Sequence, residues 1–267
     1  MRDTGKHDPS IPADRDDRHF VTALARGLDL LACFRSGERM LGNQELAQRC
    51  ELPRSTVSRL TYTLTKLGYL DYEPGAAKYR LGTATLALGS AMLARLDVRQ
   101  LARPAMQQLA DQSGAMVSLG MRDRLSMIYV ENCRSQAALT LSLDVGSRIP
   151  IARTAMGRAY LALAPASERE EILARVRALD SDHWEVTREG VERAMLEYRQ
   201  FGCCTAIGEW QADVNAIAVA IRPGDGSMPI SINCGGPASQ LSAEFLLDEV
   251  RPRLLALVQQ VSAALSA

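Results

Sequence analysis

Residues 52–70, LPRSTVSRLTYTLTKLGYL, decide how the first third of the chain reads. Val57, Leu60, Leu64 and Leu67 recur at i, i+3, i+7 and i+10, which makes one apolar stripe along a helix. Pro53 stands where a first helical turn tolerates it. At 100° per residue, Ser55, Ser58, Arg59, Tyr62 and Lys66 share the opposite face. A helix anchored by the stripe would therefore present a slim face of hydroxyls and cations, with little bulk to keep it out of a DNA major groove.

The flanking sequence extends this pattern. Val21, Leu24, Leu28, Leu31 and Phe34 have helical spacing, so a first helix is expected from Phe20 to the SGER segment. A short second helix is expected over 43–50, with Leu46 and Ala47 inward, and the three-residue break ELP separates it from the third. After the third helix, GYLDYEPGAAKYRLG reads as strand, Pro-Gly turn, strand. Three helices and a hairpin make a winged helix-turn-helix. Between Leu52 and Leu81 five cations, Arg54, Arg59, Lys66, Lys78 and Arg80, face only Asp71 and Glu73, a local net charge of +3 in a chain whose net charge is zero. Any nucleic-acid affinity must come from this local patch. A protein-docking module is the alternative for such a motif.

The 267 residues suffice for two domains, and the 47% hydrophobic and 23% charged content is that of a soluble globular protein. The chain contains no apolar run of about 18 residues, and its start, MRDTGKHDPSIPADRDDRHF, lacks the apolar core of a signal peptide, so a cytoplasmic protein without a membrane partner is expected. Cys33, Cys50, Cys133, Cys203, Cys204 and Cys234 show no metal-ligand spacing, which points to buried free thiols and to no metal or other cofactor. The expected organisation is a disordered arm over 1–18, the winged helix-turn-helix over 19–82, a linker and dimerisation helix over 83–97, and a second domain over 98–267. TATLALGSAMLAR, the linker, carries small and apolar residues on several sides and suits packing on a second subunit.

Beyond Ser113 hairpins alternate with helices. AMVSLGM and LSMIYVEN flank the turn RDR, ALTLSLD is a further strand, and VNAIAVAI and MPISINC flank RPGDGS. TAMGRAYLALA, SEREEILARVRAL and REGVERAMLEYRQFG read as helices, the last ending at Gly202, with DSDHWEV as a loop before it and a closing helix over about 242–264. The fold class is α+β with an antiparallel sheet.

These segments together resemble the IclR family of bacterial transcription regulators. The resemblance lies in ALARGLDLLACF, NQELAQRCELPRSTVSRLTYTLTKLGYL, YRLG, LARPAMQQLADQSG, GSRIPIARTAMGRAYLA, QFGCCTAIGEW and SINCGGPASQLS. It implies a winged helix-turn-helix, a linker helix and a GAF-like domain that binds a small effector, usually an organic acid or aromatic metabolite. It further implies a homodimer or tetramer on a palindromic double-stranded operator. The recognition helix would span 53–67, with Arg54, Ser55, Thr56, Ser58 and Arg59 at the DNA, and Lys78 and Arg80 as wing contacts to phosphate. Tyr62 departs from the small residue usual there, and stacking on sugar, touching a thymine methyl or shielding the helix end all remain open for it.

The effector pocket implied by the resemblance is built from Ser118, Tyr129, Arg148, Ile149, Thr154, Ala155, Met156, Asn215, Ala216, Asn233 and Gly235. A separate physical reason points to the same place: the N-terminus of the helix after Thr154 offers backbone N–H groups and a positive dipole end to a carboxylate, with Thr154 adding a hydroxyl and Arg148 or Arg153 a charge. Ala152, Ala206, Gly208 and Ala216 stand where the family often carries polar groups. Two alternatives rest on Cys203 and Cys204: a redox-sensing regulator, and a thiol-dependent enzyme. The enzyme has no suitably placed His among His7, His19 and His183.

Overall fold

The computed structural model describes residues 18–34, 37–135, 143–223 and 228–265. The proposed arm therefore lies outside the described residues except for Arg18. The same holds for ALTLSLD, apart from Leu143 and Asp144, which are not in a strand, and for residues 224–227 of the turn RPGDGS. The chain divides into two units, Met1–Arg95 and Leu96–Ala267.

In the first unit, α1 (Thr22–Ala32), α2 (Asn43–Cys50) and α3 (Arg54–Lys66) precede the hairpin of β2 (Leu70–Glu73) and β3 (Lys78–Leu81), and β1 (Leu41–Gly42), which the sequence did not announce, adds to β3. The break between α2 and α3 is made by Glu51 in the left-handed region at φ 52°. Leu30, Cys33, Leu41, Leu46, Val57 and Leu70 form the buried core, with Leu31, Phe34, Leu60 and Leu64 packed against it. Cys33 and Cys50 meet within it, their Sγ atoms 3.1 Å apart.

Two apolar stripes turn out to be mixed. Leu67 caps the end of α3 and is exposed, because the helix ends one residue earlier; buried Thr61 takes the inward place instead, giving its hydroxyl to the Val57 carbonyl at 3.0 Å. On α1, Val21, Leu24 and Leu28 are exposed while Leu30, Leu31 and Phe34 pack inward. Helical spacing identifies an apolar face but not what covers it. α4 (Thr83–Ala94) has no buried residue at all, and Leu86, Leu88 and Met92 are exposed.

The second unit begins with α5 (Asp97–Ser113), followed by β4 (Met116–Asp123), β5 (Ser126–Arg134), β6 (Arg148–Pro150), α6 (Ala155–Leu163), α7 (Ala166–Leu179) and α8 (Trp184–Phe201). Next come β7 (Cys204–Ile207), β8 (Val214–Ile221), β9 (Ile230–Pro237), a short α9 (Ala243–Phe245) and α10 (Arg251–Leu265). α8 starts inside the segment expected as a loop, and β6 and β7 were not expected as strands. The closing helix is interrupted over Leu246–Val250 by a wide π turn. Pro252 has no N–H to give to the carbonyl four residues back, so the ladder must adjust there.

All strands pair antiparallel in the order β6-β5-β4-β9-β8-β7. Strand alternation gives the sheet two different faces. Val117, Leu119, Cys133, Ile217, Val219, Ile232 and Cys234 share one, where the thiol of Cys133 reaches the α5 carbonyl of Arg103 and that of Cys234 reaches Ser113. Met116, Met127, Tyr129, Ala218 and Ala220 share the other and pack with Met156, Ala159 and Tyr160 of α6. The register slips by one residue between Leu119 and Gly120, a bulge that keeps Tyr129 on the α6 side. Gly120 has to be glycine, since a Cβ there would overlap the Met156 side chain.

Leu46 is fully buried in the small first core. Leu46→Ala should remove about 2–5 kcal/mol, much of what a small domain has. Urea unfolding followed by circular dichroism should show the first unit melting earlier with the second unmoved; a common shift of both transitions, or none, would contradict independent cores.

Candidate nucleic-acid interface and ligand site

The core of the first unit holds α3 by Val57, Leu60, Thr61 and Leu64 and leaves Arg54, Ser55, Ser58, Arg59, Tyr62 and Lys66 exposed, with Thr56 half-buried. Ion pairs within this unit include Arg49 with Glu38, Lys78 with Glu45 at 3.1 Å and Arg80 with Asp71 at 3.4 Å. Arg54, Arg59 and Lys66 have no carboxylate partner among the described residues. Lys66 instead lies over the Tyr62 ring, 5.6 Å from its centroid. Ser58 accepts a bond from the Asn43 amide at 3.2 Å, which ties the start of α2 to α3.

The wing differs from expectation. Its turn, residues 74–77, carries no cation, and Lys78 turns back to Glu45, whose carboxylate also takes the Gly42 N–H at 2.7 Å. That backbone bond, then Lys78, holds the Glu45 carboxyl below the usual range. Exposed pairs of this kind are weak, so both Lys78 and Arg80 can exchange a carboxylate for a phosphate.

In the second unit, Ser118, Tyr129, Ala216, Asn233 and Gly235 share the sheet face that looks at α6, and Ile149, Ala155 and Met156 join the same buried cluster. Burial pushes the Tyr129 phenol up, against a hydrogen bond from Asn233. Three expected residues serve other ends. Asn215 lies on the opposite face, where its oxygen accepts the Gly208 N–H at 3.0 Å and its amide donates to the Leu241 carbonyl at 2.8 Å. Arg148 is exposed and paired with Asp123. The Thr154 hydroxyl caps its own helix, donating to the Pro150 carbonyl at 2.8 Å and accepting the Gly157 N–H at 3.3 Å, so it is not a free ligand group.

The turn before α6 is held from below by a charge cluster that the sequence reading missed. Arg158 is only 2% exposed; its Nε donates to the Ala152 carbonyl at 3.0 Å and its Nη2 meets Glu209 at 2.7 Å. Arg193 pairs with the same carboxylate at 2.7 Å, and Arg153 donates to the Glu209 carbonyl at 3.1 Å. Burial alone would raise the Glu209 carboxyl, but its bond to Arg158, with the charges of Arg158 and Arg193, outweighs this and holds it below its usual 4.5. Arg153, expected as an anion ligand, is thus part of this support.

Cys203 and Cys204 are buried. Burial pushes the Cys203 thiol up to about 11 and the Cys204 thiol up as well, the reverse of the environment that makes a thiol reactive.

Comparison with known proteins decides the family. A model described as the IclR helix-turn-helix domain matches residues 23–74, and one described as the bacterial transcriptional regulator IclR C-terminal domain matches residues 90–263. The chain belongs to the IclR family. It is 36% identical over 250 residues to the HTH-type transcriptional regulator TsaQ1/TsaQ2 of Comamonas testosteroni, covering 93% of this chain and 90% of that one. The crystal structure of an IclR family transcriptional regulator from Brucella abortus is 43% identical with a TM-score of 0.82, covering 93% of this chain and 94% of that one. In fold alone the chain is similar to an IclR homolog from Microbacterium hydrocarbonoxydans solved with 4-hydroxybenzoate, 24% identical with a TM-score of 0.69 over 90% of this chain and 99% of that one. As an IclR-family member the chain is a DNA-binding transcription regulator, and its relatives are regulators rather than enzymes. No helix among the described residues is long and apolar enough to cross a membrane.

Glu209→Ala strands the buried Arg158 charge and should cost about 3–5 kcal/mol. Because the folded carboxyl lies below its unfolded value, its contribution is present above about pH 4.5 and lost as pH falls through the folded value. Thermal melts of wild type and variant across pH 3–7 should therefore converge toward the acid end; a constant gap would show that Glu209 acts by packing alone.

Proposed function

We propose that this IclR-family regulator binds a palindromic operator as a symmetric dimer and changes its operator affinity when a small molecule occupies the space between the sheet and α6. The observation that carries the DNA half is the α3 face: hydroxyls and unpaired cations exposed on a helix locked by its other side. Arg54, Ser55, Thr56, Ser58 and Arg59 would meet base edges and phosphates, Tyr62 with Lys66 the groove wall, and Lys78 and Arg80 the flanking backbone. Ser118, Tyr129, Ile149, Ala155, Met156, Ala216, Asn233 and Gly235 would line the ligand site. The family relationship supports this reading, and so does an interior face carrying polar side chains.

The apolar exposure of α4, together with Val21, Leu24 and Leu28 of α1, supports self-association through the first unit. Residues this apolar are rarely left to water. A dimer would set the spacing of two α3 helices, and an effector would act by favouring one spacing over another.

Selection of bound sequences from a random DNA pool should enrich a palindrome with half-sites about one helical turn, or a multiple, apart. A folded protein that enriches nothing would contradict the proposal. On the selected site, Arg59→Ala should cost about 1–3 kcal/mol of affinity, and Lys66→Ala should lower the slope of log affinity against log salt by about 1; unchanged affinity and slope would mean another surface reads the DNA. Leu86→Glu should shift the chain toward monomer in analytical ultracentrifugation, whereas an unchanged sedimentation coefficient would place the self-contact elsewhere.

A further inference from the structure

A row of polar side chains crosses the centre of the sheet. Asn132 of β5, Ser118 of β4 and Asn233 of β9 are successive partners in register, and the row continues to Ala218 of β8. Asn132 Oδ1, Ser118 Oγ and Asn233 Oδ1 are buried without a hydrogen-bond partner, as is the hydroxyl of Ser231, one row along on the same face. The Asn132 amide nitrogen is engaged, donating to the Leu143 carbonyl at 2.9 Å, and Asn233 bonds to the Tyr129 phenol, which leaves their carbonyl oxygens to face inward. A buried oxygen left unpaired is costly, and four of them share one face of this sheet.

The arginines around this row are engaged in part, Arg134 Nε and Arg158 Nη1 being buried without a partner. Arg148 pairs with Asp123, Arg158 with Glu209, and Arg134 with Asp144 and the Leu143 carbonyl; Arg153 donates to the Glu209 carbonyl. Gly120, Gly235, Ala216, Ala218 and Ala220 along these rows are small, whereas Met116, Met127 and Tyr129 on the same face are large and Met156 packs over Gly120. The row therefore offers two amide oxygens that only accept and two hydroxyls that both donate and accept, with Arg134 on the same face of β5 held by Asp144.

We propose that Asn132, Ser118 and Asn233 form the specificity-determining subsite of the ligand site, and that it takes an uncharged hydroxyl group of the effector, phenolic or alcoholic. This inference rests on the reading of the α6 face as the effector site. A carboxylate in its place would accept from Ser118 but would set its charge against the Asn132 and Asn233 oxygens, which only accept. A hydroxyl donates to one of the oxygens and accepts from Ser118, whereas a methyl group in its place leaves all of them unpaired. Discrimination is strong in this direction because the site loses its own hydrogen bonds with the wrong ligand.

The test titrates the full-length protein calorimetrically with matched hydroxyl and methyl compounds: 4-hydroxybenzoate and 4-methylbenzoate, phenol and toluene, lactate and isobutyrate. In at least one pair the hydroxyl compound should bind tenfold or more tightly than its methyl partner. Ser118→Ala should cut that ratio below threefold while raising the melting temperature of the unliganded protein, since it removes an unpaired hydroxyl. Ser231→Ala, equally conservative, should also raise the melting temperature but keep the ratio. Equal binding within every pair, with both variants like wild type, would overturn the inference, the row being satisfied by water only, and would leave the effector reading standing. No binding by any compound would overturn both.

Discussion

The antiparallel register between β4 and β9 is the constraint on which the second unit depends. With Ser118 opposite Asn233 and Val117 opposite Cys234, aliphatic side chains fall on the face closed by α5, and polar and small ones fall on the face turned to α6. A slip of one residue would exchange the faces, driving Ser118 and Asn233 into the aliphatic layer and Leu119 and Ile232 under α6. The cost of burying those polar groups in the wrong layer keeps the register unique. The bulge at Gly120 adjusts β5 without disturbing this division.

Glu209 fixes how α6 approaches that sheet. One carboxylate gathers Arg158 and Arg193 while its backbone carbonyl takes Arg153, and Arg158 in turn holds the Ala152 carbonyl. The turn that delivers the chain into α6 is thus clamped from the edge of the sheet, so that α6 stands at a set height above the polar row. Gly157 belongs to the same arrangement, since a Cβ there would collide with the Ile151 carbonyl.

Much of this was legible in the sequence. The helices of the first unit, the wing, β4, β5, β8 and β9 follow from periods of 3.6 and 2 and from turn residues. What failed did so for identifiable reasons. Leu24 and Leu28 carry helical spacing yet face outward, because spacing reports an apolar face whether it packs inside the chain or against another copy. Leu67 was lost to a helix that ends at Lys66. Asn215 and Asn233 looked equivalent on paper, but only pairing partners decide which face each occupies. Asn132 and Ser231 gave no local signal; the register across three strands is what aligns them with Ser118. Glu209 sat in GEW as an ordinary charged residue, and its role exists only through contacts 16 to 56 positions away in sequence.

The two units have separate cores, so ligand and DNA can influence each other only through equilibria between arrangements of the chain and its copies. Such coupling is reciprocal by thermodynamic necessity. The most direct measurement is the affinity of a hydroxylated effector, determined by calorimetry with the selected operator absent and then saturating, beside the operator affinity with that effector absent and then saturating. The account predicts that both affinities change by the same factor, well away from one. An effector that binds with identical affinity whether or not the operator is present would contradict it, leaving a DNA-binding protein whose second unit serves some other end.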